Sequence, residues 1–202
     1  IPESNVEGIL QDKQGNIWIG GSGLGRYSPK SGQWIHYDVA DGIQSNSFKV
    51  GAAYQDASGI LYLGGIKGVT YFNPEKIQPS LQAPTVRFTN LKIFNQTVQI
   101  GEEINHRVIL PAPFNQLDEL EIHANENDFS IEFVGLNFAN PAKTSYAYKL
   151  QGYNPHWVYV GSNARIANFA NLPSGYYKLY VKAYNGEGQW SKIETVTIHI
   201  LP

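Results

Sequence analysis

Five histidines, two close carboxylate pairs and one glycine-rich loop are the residues of this chain that could do chemistry. A zinc centre needs imidazoles spaced to converge, as in His-x-x-x-His on one helix face. His36, His106, His123, His156 and His199 lie far apart in sequence and form no such pair. His123 and His199 fall on the polar phase of alternating stretches and read as solvated, whereas His36 and His156 stand beside Trp or Tyr and read as packing residues. Glu119 with Glu121, and Glu126 with Asp128, are the kind of carboxylate pair that glycoside hydrolysis uses, one acid and one base or nucleophile. The first pair occupies the exposed phase of a strand and the second a hairpin turn, so neither is expected to line a catalytic cleft. Gly20-Gly-Ser-Gly-Leu-Gly25 has the composition of a phosphate-cradling loop, but no Lys-Ser and no helix follow it, and no Gly-x-Ser-x-Gly elbow is present. No catalytic residue, metal ligand or cofactor is therefore expected.

Composition narrows the class further. The chain has 202 residues, enough to bury the core of one large domain or two modest ones. Thirteen Tyr, 20 Gly and 11 Pro suit many strands joined by tight turns. A net charge of −2 gives no electrostatic basis for binding nucleic acid or an acidic membrane surface. The absence of Cys excludes disulfides and thiolate chemistry, which fits both the cytoplasm and a periplasm. No apolar run is long enough to span a bilayer, and no signal peptide is visible. With Ile1 first and no Met anywhere, the chain is expected to be part of a longer polypeptide.

The elements that would position any site are strands. The clearest runs from Leu172-Pro-Ser-Gly-Tyr-Tyr177 to Asn185. Tyr177, Leu179, Val181 and Ala183 share one face, and Tyr176, Lys178, Tyr180, Lys182 and Tyr184 share the other. A Leu-Pro-x-Gly turn with a Tyr five residues after the Leu resembles the tyrosine corner of fibronectin type III and related sandwiches, where the hydroxyl ties the sheet to backbone upstream. Leu172, Tyr177, Trp157 and Trp190 are accordingly expected to be structural.

An internal repeat occupies the first part of the chain. Asp12-Lys-Gln-Gly15-Asn-Ile-Trp-Ile-Gly20-Gly21 recurs as Asp56-Ala-Ser-Gly59-Ile-Leu-Tyr-Leu-Gly64-Gly65, a period of 44. In each copy the Asp can bond nearby backbone and the Gly can adopt positive φ, which makes a hairpin turn; Asp12, Gly15, Asp56 and Gly59 are expected to serve as turn residues. The period is the size of a four-stranded propeller blade. The pattern Asp-x-x-Gly-x-[Ile/Leu]-[Trp/Tyr]-[Ile/Leu]-Gly resembles the two-component regulator propeller repeat, and Gly64 to Glu75 resembles that family's last blade. Two repeats cannot close a ring, so the resemblance implies the end of a larger propeller.

Three prolines, Pro74, Pro79 and Pro84, punctuate the next stretch and disfavour helix. They place a domain boundary near Ala83, with blades over 1–83 and a second domain over 84–202. From Thr85 onward, about seven to nine short alternating runs argue for an immunoglobulin-like sandwich. Asn127-Asp-Phe-Ser-Ile-Glu-Phe133, Tyr146-Ala-Tyr148, Trp157, Arg165, Asn171 to Tyr177 and Asn185 to Ser191 resemble the Y-Y-Y domain that follows regulator propellers. The expected fold class is thus all-β, a partial propeller followed by an immunoglobulin or fibronectin III-like sandwich.

The resemblance implies the membrane-proximal end of a periplasmic sensor region in a Gram-negative receptor, beside the inner membrane and not inserted in it, with a histidine kinase or diguanylate cyclase as output. A glycan-type ligand would require the full propeller. The outward row Tyr176, Lys178, Tyr180, Lys182 and Tyr184 carries more aromatic area than a strand facing water needs, because Tyr offers contact area with few rotors to freeze. It is expected to form a homodimer face, the alternative being that Lys stems and Tyr rings shield one another. Two rival classes are an extracellular carbohydrate-binding or adhesion module, and an accessory domain of a glycoside hydrolase.

Overall fold

Asp-x-x-Gly turns and alternating strands lead to an all-β architecture. A computed structural model of the chain describes residues 5–138 and 140–202. It divides into two compact units, Ile1–Leu81 with Gly186–Gly188, and Gln82–Asn185 with Gln189–Pro202.

In the first unit, β1 (Val6–Gln11), β2 (Ile17–Gly21), β3 (Gly23–Ser28) and β4 (Gln33–Tyr37) form an antiparallel four-stranded meander. The Asp12 carboxylate closes the first turn, accepting hydrogen bonds from the Gln14 and Asn16 amides at 2.9 Å each while Gly15 adopts φ +89°. It also accepts from Trp18 Nε1 at 2.9 Å, which couples the turn to the core. In the second repeat Asp56 accepts from the Ile60 amide at 2.9 Å and from the Tyr62 hydroxyl at 3.3 Å, with Gly59 at φ +95°. That repeat builds three strands, β5 (Phe48–Gln55), β6 (Leu61–Gly65) and β7 (Gly68–Phe72). The blade-sized period led to an expectation of four. Asn73 instead caps a short 3-10 turn over Pro74–Lys76, and 77–84 has no regular structure, because closely spaced prolines cannot supply ladder donors.

The core of this unit is Trp18, Leu24, Ile43, Phe48, Leu61 and Leu63, with Tyr37 and Phe72 against Trp18 at ring separations of 5.7 and 4.7 Å. A Cβ on Gly20 would stand 2.9 Å from Leu63 and 3.3 Å from Phe48, so glycine is what lets β2 press onto the second blade.

The second unit is a sandwich. One sheet is ordered β12 (Glu119–Ile122), β18 (Glu194–Ile200), β17 (Gly175–Tyr184), β14 (Ser145–Gln151), β15 (Asn154–Val160). The other is ordered β16 (Ile166–Ala170), β13 (Asp128–Leu136), β8 (Thr85–Ile93), β9 (Gln96–Val98), and β10 (Glu103–Ile104) with β11 (Arg107–Val108) makes a separate ribbon. β12 runs parallel to β18, and the other paired strands are antiparallel. Tyr177, Leu179, Val181 and Ala183 face inward and join Phe129, Ile131, Phe133, Tyr146, Leu150 and Ile198 in the core. The β8–β9 turn falls at Phe94-Asn95, and both residues take positive φ as a two-residue hairpin turn requires.

The tyrosine corner forms as its sequence implies. The Tyr177 hydroxyl donates to the Pro173 carbonyl at 2.8 Å. Asn127 holds the same loop from β13's start, its side chain accepting from Leu172 N at 3.1 Å and donating to Leu172 O at 2.6 Å. Leu172 itself is buried. Tyr177→Phe removes only the hydroxyl bond, so a loss of about 1 kcal/mol in urea unfolding is expected. A neutral substitution would show that the corner is held by Asn127 instead.

Candidate functional site: the outer face of the five-stranded sheet

Alternation along β17 aims Tyr176, Lys178, Tyr180, Lys182 and Tyr184 away from the core, and register assembles their neighbours. Tyr176 and Lys178 are exposed, and Tyr180, Lys182 and Tyr184 are half-buried. β14 contributes Lys149 and Gln151, and β15 contributes Trp157 and Tyr159. Trp157 and Trp190, expected as structural residues, lie on this outer face and not in the core.

The contacts are cation–π and ring stacking. Lys182 Nζ sits 4.5 Å from the Trp157 ring centre and 4.3 Å from that of Trp190. Lys149 Nζ sits 5.0 Å from Trp157 and 5.1 Å from Tyr180, and Lys178 lies 5.8 Å from Tyr180. Tyr184 and Tyr159 pack on Trp190 at 5.0 and 6.3 Å. The Tyr180 hydroxyl donates to Gln151 at 2.7 Å. Rings and Lys stems therefore do shield one another, each exposed contact contributing about 0.5–1 kcal/mol. Shielding leaves a pre-ordered surface, because side chains already held lose less freedom when a partner covers them. An open depression of about 430 Å³ between Tyr176, Lys178, Tyr180, Gln151 and Thr197 interrupts it.

At the β12 edge the face turns acidic. Parallel register sets Glu121 beside His199 and brings Glu119, Glu121 and His199 to within 4.8 Å of one another. His199 Nδ1 lies 3.1 Å from Glu119, and Tyr176 stacks on the imidazole at 3.9 Å. This histidine, read as solvated, is thus partnered on its edge and on one face. The sequence signal for the wider face was the polar phase of Lys149 and Gln151 together with Trp157 and Tyr159.

The second carboxylate pair separates. Asp128 is exposed, whereas Glu126, expected in a hairpin turn, is 1% exposed and lies in a 3-10 turn. Its carboxylate accepts from Arg107 Nη2 at 2.5 Å and from the His123 amide at 3.1 Å, so it anchors the β10–β11 ribbon. Burial alone would raise its pKa, but the Arg107 and His123 hydrogen bonds and the Arg107 charge outweigh this and hold it below the ordinary glutamate value. Asp12 behaves alike: burial pushes it up, and the bonds from Trp18, Asn16 and Gln14 bring it below the usual aspartate value. Both are scaffold carboxylates.

Blade repeats thus lead into a sandwich whose five-stranded sheet presents a pre-ordered aromatic and lysine face. Residues 1–23 match the family model of the two component regulator propeller, and 137–201 match the Y_Y_Y domain. Histidine kinase P4 of Formosa agariphila is 30% identical over the whole chain, which spans 15% of that protein. The extracellular domain of the hybrid two component system BT3049 from B. thetaiotaomicron superposes with a TM-score of 0.79 at 29% identity, covering all of this chain and 27% of that one. The extracellular domain of BT4673 from the same organism, 22% identical with a TM-score of 0.52, covers 98% of this chain and 25% of its own, and shares the fold. The chain joins regulator-propeller sequence to a Y_Y_Y domain and is similar along its whole length to the extracellular domain of a hybrid two component system and to part of a histidine kinase. It spans under a third of the length of these relatives. Among the described residues no helix is long and apolar enough to cross a membrane.

Proposed function

We propose that this chain is the membrane-proximal part of a periplasmic sensor region, and that its sandwich relays ligand-induced change by self-association. The observation that carries the reading is whole-length similarity, in the same domain order, to the extracellular domain of a hybrid two component system. The propeller of the longer receptor would capture a glycan-type ligand, and the output would be a histidine kinase, as in the Formosa agariphila relative, or a diguanylate cyclase. Two sandwiches would meet through the outer face of the five-stranded sheet. Ligand capture then shifts how the two copies pack, and the strand that ends at Ile200 passes the shift toward the membrane.

The face has the right chemistry for a second copy. Its rings and Lys stems are ordered before contact, its depression can receive a side chain, and its acidic β12 edge complements the lysines of β14 and β17 across a two-fold axis. Sedimentation equilibrium across micromolar concentrations tests this. A dimer is expected, and Tyr180→Glu should raise its Kd about tenfold or more, because it removes aromatic contact area at the centre of the face and the ring on which Lys149 and Lys178 are held. A strict monomer at every concentration, or a dimer indifferent to Tyr180→Glu, overturns the proposed interface.

A further inference from the structure

Strand pairing in the sandwich brings together three potential ligands that lie far apart in sequence. On the outer face of the five-stranded sheet, Glu121, His199 and Tyr176 form one cross-strand row, and Glu119, Thr197 and Lys178 form the next. One oxygen from each glutamate and one ring nitrogen of His199 all lie within 4.8 Å of one another. His199 Nδ1 stands 3.1 Å from Glu119 Oε1. Tyr176 lies against the imidazole, 15° from parallel, and fixes its plane. Among the described residues no Lys or Arg pairs with either carboxylate, so the two negative charges face each other without a cation.

We propose that Glu119, Glu121 and His199 form a binding site for a divalent transition-metal ion of the zinc class. Such an ion takes imidazole nitrogen and carboxylate oxygen at about 2.0–2.2 Å in a tetrahedral array, which sets two of its ligands about 3.3 Å apart. The separation of His199 Nδ1 from Glu119 is close to that value. The ion takes the place of the hydrogen between those two atoms, which a neutral imidazole carries on Nε2 instead. Glu121 is exposed, and rotation of its side chain closes the remaining gap. Water fills the fourth position.

The imidazole separates this donor set from crowded surface carboxylates. Calcium and magnesium take oxygen ligands, calcium in sets of about six to eight, whereas mixed nitrogen and oxygen donors suit zinc, copper and nickel. The ligands also stand on paired strands and not on loops. Leu120 and Ile122, which alternate with the two glutamates, are buried and pin the phase of β12. Arg107 Nη2 donates to the Glu121 carbonyl at 3.0 Å and steadies the same strand. Tyr176 acts as a positioning residue, holding the ring without ligating. All three ligands belong to one copy, so the site stands whether the chain is a monomer or a dimer.

Calorimetric titration of the 202-residue chain with Zn²⁺ tests the site, together with NMR of its histidine and tyrosine side chains. One ion per chain is expected to bind, and Co²⁺ in its place should shift the His199 and Tyr176 resonances before any others. His199→Gln and Glu121→Gln should each weaken binding about tenfold or more. His156→Gln, which changes an exposed histidine outside the site, should leave it unaltered. Calcium in about a hundredfold excess should not displace the zinc. Because Glu121 is exposed, its variant keeps the fold and tests the site even where His199→Gln disturbs β18. Affinity retained in Glu121→Gln, displacement by calcium, or no binding at millimolar Zn²⁺ overturns the proposal. The titration is read per chain, so its failure is distinguishable from failure of the dimer face.

Discussion

Truncating Trp18 to alanine is expected to destabilise the two-blade unit by about 4 kcal/mol, a large share of what a small unit has. Trp18 is fully buried and is the largest of the six residues at the centre of that core. Its removal forfeits contacts with Tyr37 and Phe72 and leaves a cavity between strands of both blades. It also deletes the Nε1 donor to Asp12, although the Asn16 amide and side chain, at 2.9 Å each, keep that carboxylate bonded. Native-state hydrogen exchange offers a local readout: amides of β2 and β6 should lose protection, and Trp18→Phe should recover most of it. A change under about 1 kcal/mol would mean that the core closes over the gap, contrary to the close packing around Gly20.

Glu126→Ala should cost the sandwich about 3 kcal/mol, because it removes the buried carboxylate that partners Arg107 and leaves that guanidinium its bond to the Glu121 carbonyl at 3.0 Å. Arg107 reaches Glu126 from the β10–β11 ribbon, and Asn105 approaches the same carboxylate at 3.5 Å. The ribbon has a single two-residue pairing of its own, so this carboxylate is its main anchor. The pH dependence has a definite sign. Glu126 is held below its ordinary value of 4.5, so its contribution is complete above that pH and is lost as pH falls through the lower folded-state value. Urea unfolding between about pH 3 and 7 should therefore show an acid-side decline that is shallower in Glu126→Gln, a variant that keeps the shape but cannot titrate. An unchanged acid limb in that variant would remove Glu126 from the acid response and leave Asp12, lowered by its turn, as the group to test.

Much of the molecule was legible in short windows. Asp12-x-x-Gly15 and Asp56-x-x-Gly59 announced turns because an Asp oxygen and a positive-φ glycine act within five residues. The two faces of β17 followed from period-two alternation, and the tyrosine corner from the resemblance of the Leu172-Pro-Ser-Gly turn and Tyr177 to fibronectin type III sandwiches. The burial of Glu126 was not legible, since its partner Arg107 lies 19 residues away on a ribbon that alternation does not mark. Nor was the loss of a fourth strand in the second repeat, where proline spacing overrides the repeat's own period.

By itself the sequence determined an all-β chain, two related blades ahead of a sandwich, and the phase of each strand, because hydrophobic alternation, turn chemistry and repeat period act over a few residues. Tertiary structure alone decided which strands became neighbours. Parallel pairing of β12 with β18 set Glu119 and Glu121 beside His199, and pairing of β14 with β15 and β17 carried Trp157 and Lys149 to the tyrosines. Such choices depend on contacts between residues far apart in the chain, where many pairings satisfy local alternation equally well and only the packing of the whole unit selects among them.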